Sequence, residues 1–593
     1  VILRILRLLV ALLVVNALLL GPRWLVPGTE VAPLVALEAC FLVGLFALLP
    51  DRSWTRRASL AGGAVVVLLA FFGFADAAAR MVLARPVNLY LDFPLLRAIG
   101  NLLVGMIGLI PAIAVFFGAG LLMCGLMWLT AWLLSPGGTL ARTGGAGRTF
   151  EVMERERGLM GPSGRHWALR LVGGALMLPM FVWWVPPRLP LETELGTYGV
   201  APAWTGTPSV DLVVAQAIRL GETFTERERF EADLDAAPDT YAEVDGLLSR
   251  LANRDVVLAF IESYGVTVVD DVRYSPRILP RLEDLQSRVE AAGLHMVSGT
   301  LVAPTQGGES WFSHGSLLSG LWLGNQIRYD LLIGSGRETL IDDFRRAGYR
   351  TVAIMPAITY AWPEGDALRY DEIFARADIP YAGPPLNWVT MPDQFTWSFL
   401  EKGVRGTARG ATGEVPPGDT APRDRDPVFA EIGLISSHAP WTPILPVLDD
   451  WDSIGDGSVF QEWANAGEAP EVLWLDTERV REHYALAIDY ALNAMAGYAE
   501  RYVDENTLLI ALGDHQPAPL ITGDGASWEV PVHVISGDPD LLTPFLEWGF
   551  LRGSFPSRAY PDRGMDYFRD WFIRAYSEPV APEATPTPSM TAE

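Results

Sequence analysis

Acids, imidazoles and hydroxyls cluster at the ends of short apolar runs. DVVLAFI (255–261) leads into Glu262 of IESYG, and FAEIGLIS (429–436) leads into His438 of SSHAPW. NTLLIAL (506–512) leads into Gly513, Asp514 and His515 of GDHQP. His533 interrupts VPVHVIS (530–536), and QGGESWFSHGSLLSG (306–320) joins a Gly-Gly turn, several serines and His314 before turning helical. Glu, Asp and His offer two oxygen ligands and one nitrogen, a set that a divalent ion such as zinc or manganese accepts. A hydroxyl from 306–320 would complete it, and a metal activates such a hydroxyl as a nucleophile. Taken singly, each signal has a plainer reading: an acid after a strand is usually a cap or turn residue, and a lone histidine is usually a structural one. Their joint placement at strand ends favours one site, because open α/β sheets bind ligands beyond the carboxyl ends of their strands.

The elements that must hold these residues begin near 254. With YRTVAIMP (349–356), the runs above are short and β-rich, and amphipathic stretches separate several of them: ETLIDDFRRAG (338–348) and the long pattern over 477–503. Buried strands alternating with helices predict an α/β domain with a mostly parallel sheet over 254–576. The Gly-, Pro- and charge-rich stretch 403–426 reads as an inserted surface loop, and 577–593 as a disordered tail. Before the domain, 188–253 reads as a connector, helical at 210–220 and 241–252.

The first 187 residues differ in kind. Half of the 593 residues are hydrophobic, and the mean hydropathy is +0.22. Apolar runs at 2–20, 31–50, 59–79, 102–135 and 168–186 are each long enough to cross about 30 Å of hydrocarbon, which predicts five spans. Loop 51–58 (Arg52, Arg56, Arg57) and loop 136–167 (Arg142, Arg148, Arg155, Arg157, Arg165) are arginine-rich and therefore cytoplasmic. The N-terminus is then inside, the α/β domain outside, and Trp183 and Trp184 suit the outer interface. Glu38 and Asp76 lie within spans, where an ionisable residue is either functional or bonded to a neighbouring helix. A formal charge of -25 argues against a nucleic-acid partner, and the near-exclusive use of arginine, with Lys402 the only lysine, reads as coding bias and not as a binding signal. Cys40 and Cys124 both lie in apolar runs, so the polar part has neither disulfide nor cysteine-based zinc site.

FIESYG, GGESWFSHGSLLSG, SSHAPW and GDHQP, in that order, resemble the alkaline-phosphatase superfamily. More narrowly they resemble its sulfatase-like membrane enzymes, which include lipoteichoic acid synthase and the phosphoglycerol and phosphoethanolamine transferases. The resemblance covers roughly 254–545, and spans followed by an extracytoplasmic domain extend it over the chain. It implies that Glu262, Ser310, Asp514 and His515 hold one divalent metal ion, manganese or zinc. It implies Ser310 as nucleophile, with Ser313 and Ser316 as alternative registers, and His438 as contact to the transferred phosphate or leaving group. Trp362, His314 and His533 are the expected substrate-binding residues. The Cys-x-Pro-x-Arg signature of formylglycine sulfatases is absent, and YAWPEGD (360–366) carries Glu364 where the synthase has an arginine. An identical anionic headgroup is therefore disfavoured. The expected activity is transfer of a phospho-headgroup from a lipid donor to an envelope glycan or lipid, at the bacterial inner membrane. The alternatives are a membrane-bound phosphodiesterase or phosphatase, and a catalytically silent sensor of the same fold.

Overall fold

The computed structural model describes residues 2–25, 33–93, 96, 99–100, 103–104, 108–135, 171–178, 205–236, 241, 243–406, 425–559 and 562–577. It divides into two compact units, 1–81 with 85–224, and 82–84 with 225–593.

In the first unit, α1 (Ile2–Leu25), α3 (Ser53–Leu83) and α4 (Leu109–Leu134) contain the three stretches, among the described residues, long and apolar enough to cross a membrane. Five spans were expected. The run at 31–50 instead forms α2 (Leu37–Leu48), whose 12 residues reach only about 18 Å. Its first residues are diverted into a strand: β1 (Val35–Ala36) pairs in parallel with β2 (Thr205–Gly206), and Asn16 donates to Leu34 O and accepts from Ala36 N. The run at 168–186 is described only at 171–178; loop 136–167, Trp183 and Trp184 lie outside the described residues. Glu38 accepts from the N–H groups of Ser209 and Val210, so it caps the start of α5 (Pro208–Ala236), where a helix N-terminus favours a carboxylate. Asp76 accepts from Arg80 Nε and Val87 N. Both acids thus have local structural partners.

Helix α5 contains the expected helical stretch 210–220 and runs on to Ala236. The stretch 241–252 is not a helix: Gly246 and Leu248 have φ of 64° and 53°, and only a 3-10 turn forms at Ser249–Leu251.

The second unit is built on an eight-stranded sheet. Its strands are β3 (Asp255–Ile261), β4 (His295–Val302), β5 (Arg350–Met355), β6 (Glu372–Ala375), β7 (Val428–Leu434), β8 (Thr507–Gly513), β9 (Glu529–Ser536) and β10 (Leu551–Arg552), in the order β10-β4-β9-β8-β3-β7-β5-β6. The five from β8 to β6 are mutually parallel, and β9 and β10 run against their neighbours. The central strands are apolar on both sides because helices cover both faces. Val257, Ala259 and Ile261 join a core with α6 (Ser275–Ala291) and α8 (Thr477–Tyr502). Val256, Leu258 and Phe260 join one with α7 (Trp311–Ser319) and α9 (Phe568–Tyr576). Residues 407–424 of the expected inserted loop and 578–593 of the expected tail lie outside the described residues.

An ion cluster closes the sheet where β3 begins. Buried Asp255 accepts from Arg405 Nε (3.0 Å), Arg425 Nη2 (2.6 Å) and Val428 N (3.0 Å), while Arg405 also reaches Tyr498 and Thr507. Removing one partner strands the others' charge in the interior. Asp255→Ala should therefore cost about 3–5 kcal/mol of unfolding free energy in urea denaturation. A loss below about 1 kcal/mol would mean that the cluster behaves like a surface pair.

Candidate active site

Strand register brings the site together. Ile261 of β3 lies opposite Gly513 of β8, so the residues that follow, Glu262 and Asp514, leave the sheet side by side. His438 follows β7, the other neighbour of β3. Gly513 is required by close approach: a Cβ there would meet Tyr264 O at 1.8 Å. The fourth component arrives on α7, whose first turn follows Ser310. The Ser310 hydroxyl makes no capping bond to the helix. It lies 3.2 Å from His515 Nε2 and 3.4 Å from Glu262 Oε2. Of the alternative serines, Ser316 is buried and accepts from Leu323 N, and Ser313 is buried among core residues. The structure brings the Ser310 hydroxyl to the cluster, and not theirs.

Backbone strain flanks this corner. Ser263 and Glu309, the neighbours of Glu262 and Ser310, have φ of 57° and 63°, and Trp441, three residues past His438, has 57°. Each such residue costs about 1–3 kcal/mol and persists where its surroundings fix it. Here they do: Ser263 N donates to Asp514 Oδ1, and Tyr484 donates to Ser263 O.

Glu262, Asp514 and His515 each offer a ligand atom, all within 4.8 Å of one another. Asp514 Oδ1 is used by the N–H groups of Ser263 and His515, which leaves Oδ2 toward the cluster. His515 Nδ1 donates to Gln516 O at 2.8 Å, so Nε2 keeps its lone pair. Burial and the neighbouring Glu262 charge push the Asp514 carboxyl well above the usual carboxylate range. Burial also opposes ionisation of Glu262, but His438 and His515 pull it below its ordinary value. Two adjoining carboxylates and a lone-pair imidazole in a buried corner are a donor set that a divalent cation neutralises and bridges. The residues present fit the metal that the family resemblance implies.

His438 is ring-stacked on Trp388 at 3.6 Å, and its Nδ1 donates to Ala439 O, leaving Nε2 uncommitted. Its loop is anchored by Asp393, a residue with no motif to mark it, whose Oδ1 accepts from Ile435 N and Ser436 N. Burial pushes the Asp393 carboxyl up to about 6, against an ordinary 3.8. A raised acid binds its proton more tightly when folded, so its contribution is intact below pH 3.8 and lost as pH rises through 6. We expect Asp393→Asn to be more stable than the parent at pH 7 by roughly 3 kcal/mol, and equal to it near pH 3.5. Urea midpoints at the two pH values check this, and a difference independent of pH would contradict it.

The three expected substrate-binding residues part company. His314, on α7, bonds Glu431, and its backbone N–H donates to Ser310 O at 3.1 Å, one helical turn beyond that serine. Trp362 is half-buried and packs against Tyr370, with ring centroids 6.5 Å apart, at the margin of the core that holds Phe429 of β7. Gly365 makes room for that ring. His533 is fully buried within the sheet, with Nε2 on Tyr264 Oη (2.9 Å) and Nδ1 on Ser298 Oγ (2.8 Å). Burial lowers its pKa to about 3. With both ring nitrogens occupied it is a structural histidine, which corrects its expected role.

Among solved structures, the chain is similar to the lipoteichoic acid synthase LtaP from Listeria monocytogenes, at 12% identity and a TM-score of 0.35 over 58% of this chain and 77% of that one. It is similar to the phosphoglycerol transferase GacH of Streptococcus pyogenes, solved with sn-glycerol-1-phosphate, at 12% and 0.34 over 61% and 87%. A third is the phosphonate monoester hydrolase of Silicibacter pomeroyi, at 14% and 0.28 over 55% and 78%. No family model and no curated protein matches the chain.

Proposed function

We propose that this chain is a membrane-anchored phosphotransferase that moves a phospho-headgroup, of phosphoglycerol or phosphoethanolamine type, from a lipid donor to an envelope glycan or lipid. The observation that carries the reading is the Ser310 hydroxyl, free of capping duty and within reach of Glu262 and His515 beside Asp514. Glu262, Asp514, His515 and Ser310 would hold one divalent ion, manganese or zinc. When bound, that ion supplies charge neutralisation at the phosphate and acidifies the nucleophile. Ser310 gives its hydroxyl proton to solvent, Oγ attacks phosphorus, a Ser310 phosphodiester that keeps the headgroup forms, and the bond to the lipid alcohol breaks. The departing oxygen takes a proton at His438 Nε2, the nitrogen left uncommitted by the Ala439 contact. The acceptor hydroxyl then enters from the same side, returns a proton to His438, and displaces Ser310, whose oxygen regains a proton from solvent. The N-terminus of α7 faces the phosphate with favourable N–H groups. His314 contacts the substrate from within that helix, while Trp362 supports the pocket wall from the core.

The apolar helices of the first unit support membrane attachment. We infer the bacterial inner membrane, with the N-terminus cytoplasmic and the catalytic unit outside, from the arginine-rich loops. Product analysis of the full chain with a phosphoglycerol or phosphoethanolamine lipid and a glycan acceptor tests the reading. Released diacylglycerol with a modified acceptor supports it. Free phosphate or a free phospho-alcohol identifies a hydrolase, and no turnover a silent relative.

A further inference from the structure

Glu431 is the one carboxylate of β7, 1% exposed, in a strand set between Leu258 of β3 and Ala353 of β5. An acid in the middle of a covered sheet is costly unless something uses it. One oxygen, Oε1, lies 2.6 Å from His314 Nδ1, and the other accepts from the Tyr370 hydroxyl. Burial and the adjacent carboxylate hold the Tyr370 phenol well above its usual range, so it remains a donor. The His314 ring is fixed a second way, stacked on Phe260 at 3.8 Å and 22°. Tyr370, Glu431 and Phe260 therefore leave one free atom on that ring, Nε2. The ring keeps 18% exposure and sits one helical turn beyond Ser310.

Glu431 Oε1 takes up Nδ1, and an ion pair across that contact leaves Nε2–H as the ring's donor on the side away from Glu431.

We propose that Glu431 and Tyr370 are positioning residues that orient His314 so that Nε2–H donates to a non-bridging oxygen of the phosphate undergoing transfer. The inference deepens the function proposed above and rests on it. No bond to His314 forms or breaks; the donor stabilises charge that grows on the phosphoryl oxygens in the transition state. Glu431→Gln keeps the size of the side chain and an acceptor for Nδ1–H. It removes the carboxylate's half of the ion pair that orients the ring.

The test uses the full chain, loaded with manganese, and a chromogenic phosphodiester. We expect Glu431→Gln and His314→Ala each to lower kcat by roughly 100-fold with little change in KM. The double variant should be no more than about two-fold worse than either single one. Tyr370→Phe, which removes a single hydrogen bond, should lose roughly five-fold and covers the case that Glu431→Gln does not fold. Metal content and unfolding midpoint are measured alongside, because a structural role would move those and leave the losses additive. The proposal is overturned by a Glu431→Gln kcat within about three-fold of the parent, by losses that multiply in the double variant, or by a Tyr370→Phe kcat equal to the parent. If the parent itself shows no turnover, or Ser310→Ala equals it, the phosphotransferase reading falls first and takes this inference with it.

Discussion

Ser310→Ala should lower turnover of a phosphodiester by about three to four orders of magnitude, with the fold and metal content intact. The size follows from geometry. Ser310 is the hydroxyl within reach of both Glu262 and His515, and no helix cap is lost with it, because its side chain makes no capping bond. Water can enter the gap left by the hydroxyl, and a residual rate from binding and charge neutralisation sets the floor. Ser310→Thr keeps the nucleophilic oxygen and should keep most of the activity. Steady-state rates with a chromogenic diester read both. An alanine variant within ten-fold of the parent would move the nucleophile elsewhere, and the buried positions of Ser313 and Ser316 make them poor replacements.

Asp514→Asn should remove the metal and, with it, about three orders of magnitude of activity. It should also do something that loss of an ordinary ligand would not: stabilise the metal-free protein. Asp514 is 2% exposed and shares its corner with Glu262, and burial with that neighbouring charge pushes its carboxyl well upward. An amide keeps an oxygen for the N–H groups of Ser263 and His515 while deleting the repulsion. Metal that binds only the folded state stabilises it by mass action, so manganese should raise the parent's unfolding temperature and leave the variant's unmoved. Elemental analysis and thermal unfolding with and without chelator check both halves. A variant that retains stoichiometric metal would contradict the ligand assignment.

Much of this corner was legible because its residues follow buried strands. DVVLAFI, FAEIGLIS and NTLLIALG are predominantly apolar, with Glu431 the exception inside the second, so the acid or imidazole that follows each run stands out, and β3, β7 and β8 form where those runs lie. That β3 sits between β7 and β8 is a tertiary fact, and it turns three separate strand ends into one site. HMVSGTLV was missed as β4 because Ser298, Gly299 and Thr300 dilute its apolar signal; Gly299 is held there by Phe550, which a Cβ would strike at 2.4 Å. His533 misled for the opposite reason. A polar residue in an apolar strand suggests a ligand, yet two cross-sheet partners satisfy it internally. Glu431 is likewise a polar residue in an apolar strand, and its partner His314 lies on the helix that begins at Ser310, a contact that the sequence does not reveal. The second apolar run looked long enough to span, and the β1–β2 pairing that shortens it joins residues about 170 positions apart. Asp393 carries no pattern, since its role is to hold backbone of a loop distant in sequence.

The central claim is that Ser310 becomes covalently phosphorylated during turnover. Acid-quenching the full chain during reaction with a phosphodiester, then sequencing its peptides by mass spectrometry, tests it directly. The expected result is an adduct on Ser310, the residue before WFSHG (311–315), and nowhere else: a phosphorus joined to Oγ that still carries the non-leaving alcohol, absent from Ser310→Ala and from metal-stripped protein. Turnover with no adduct on Ser310, or an adduct on another residue, would contradict it.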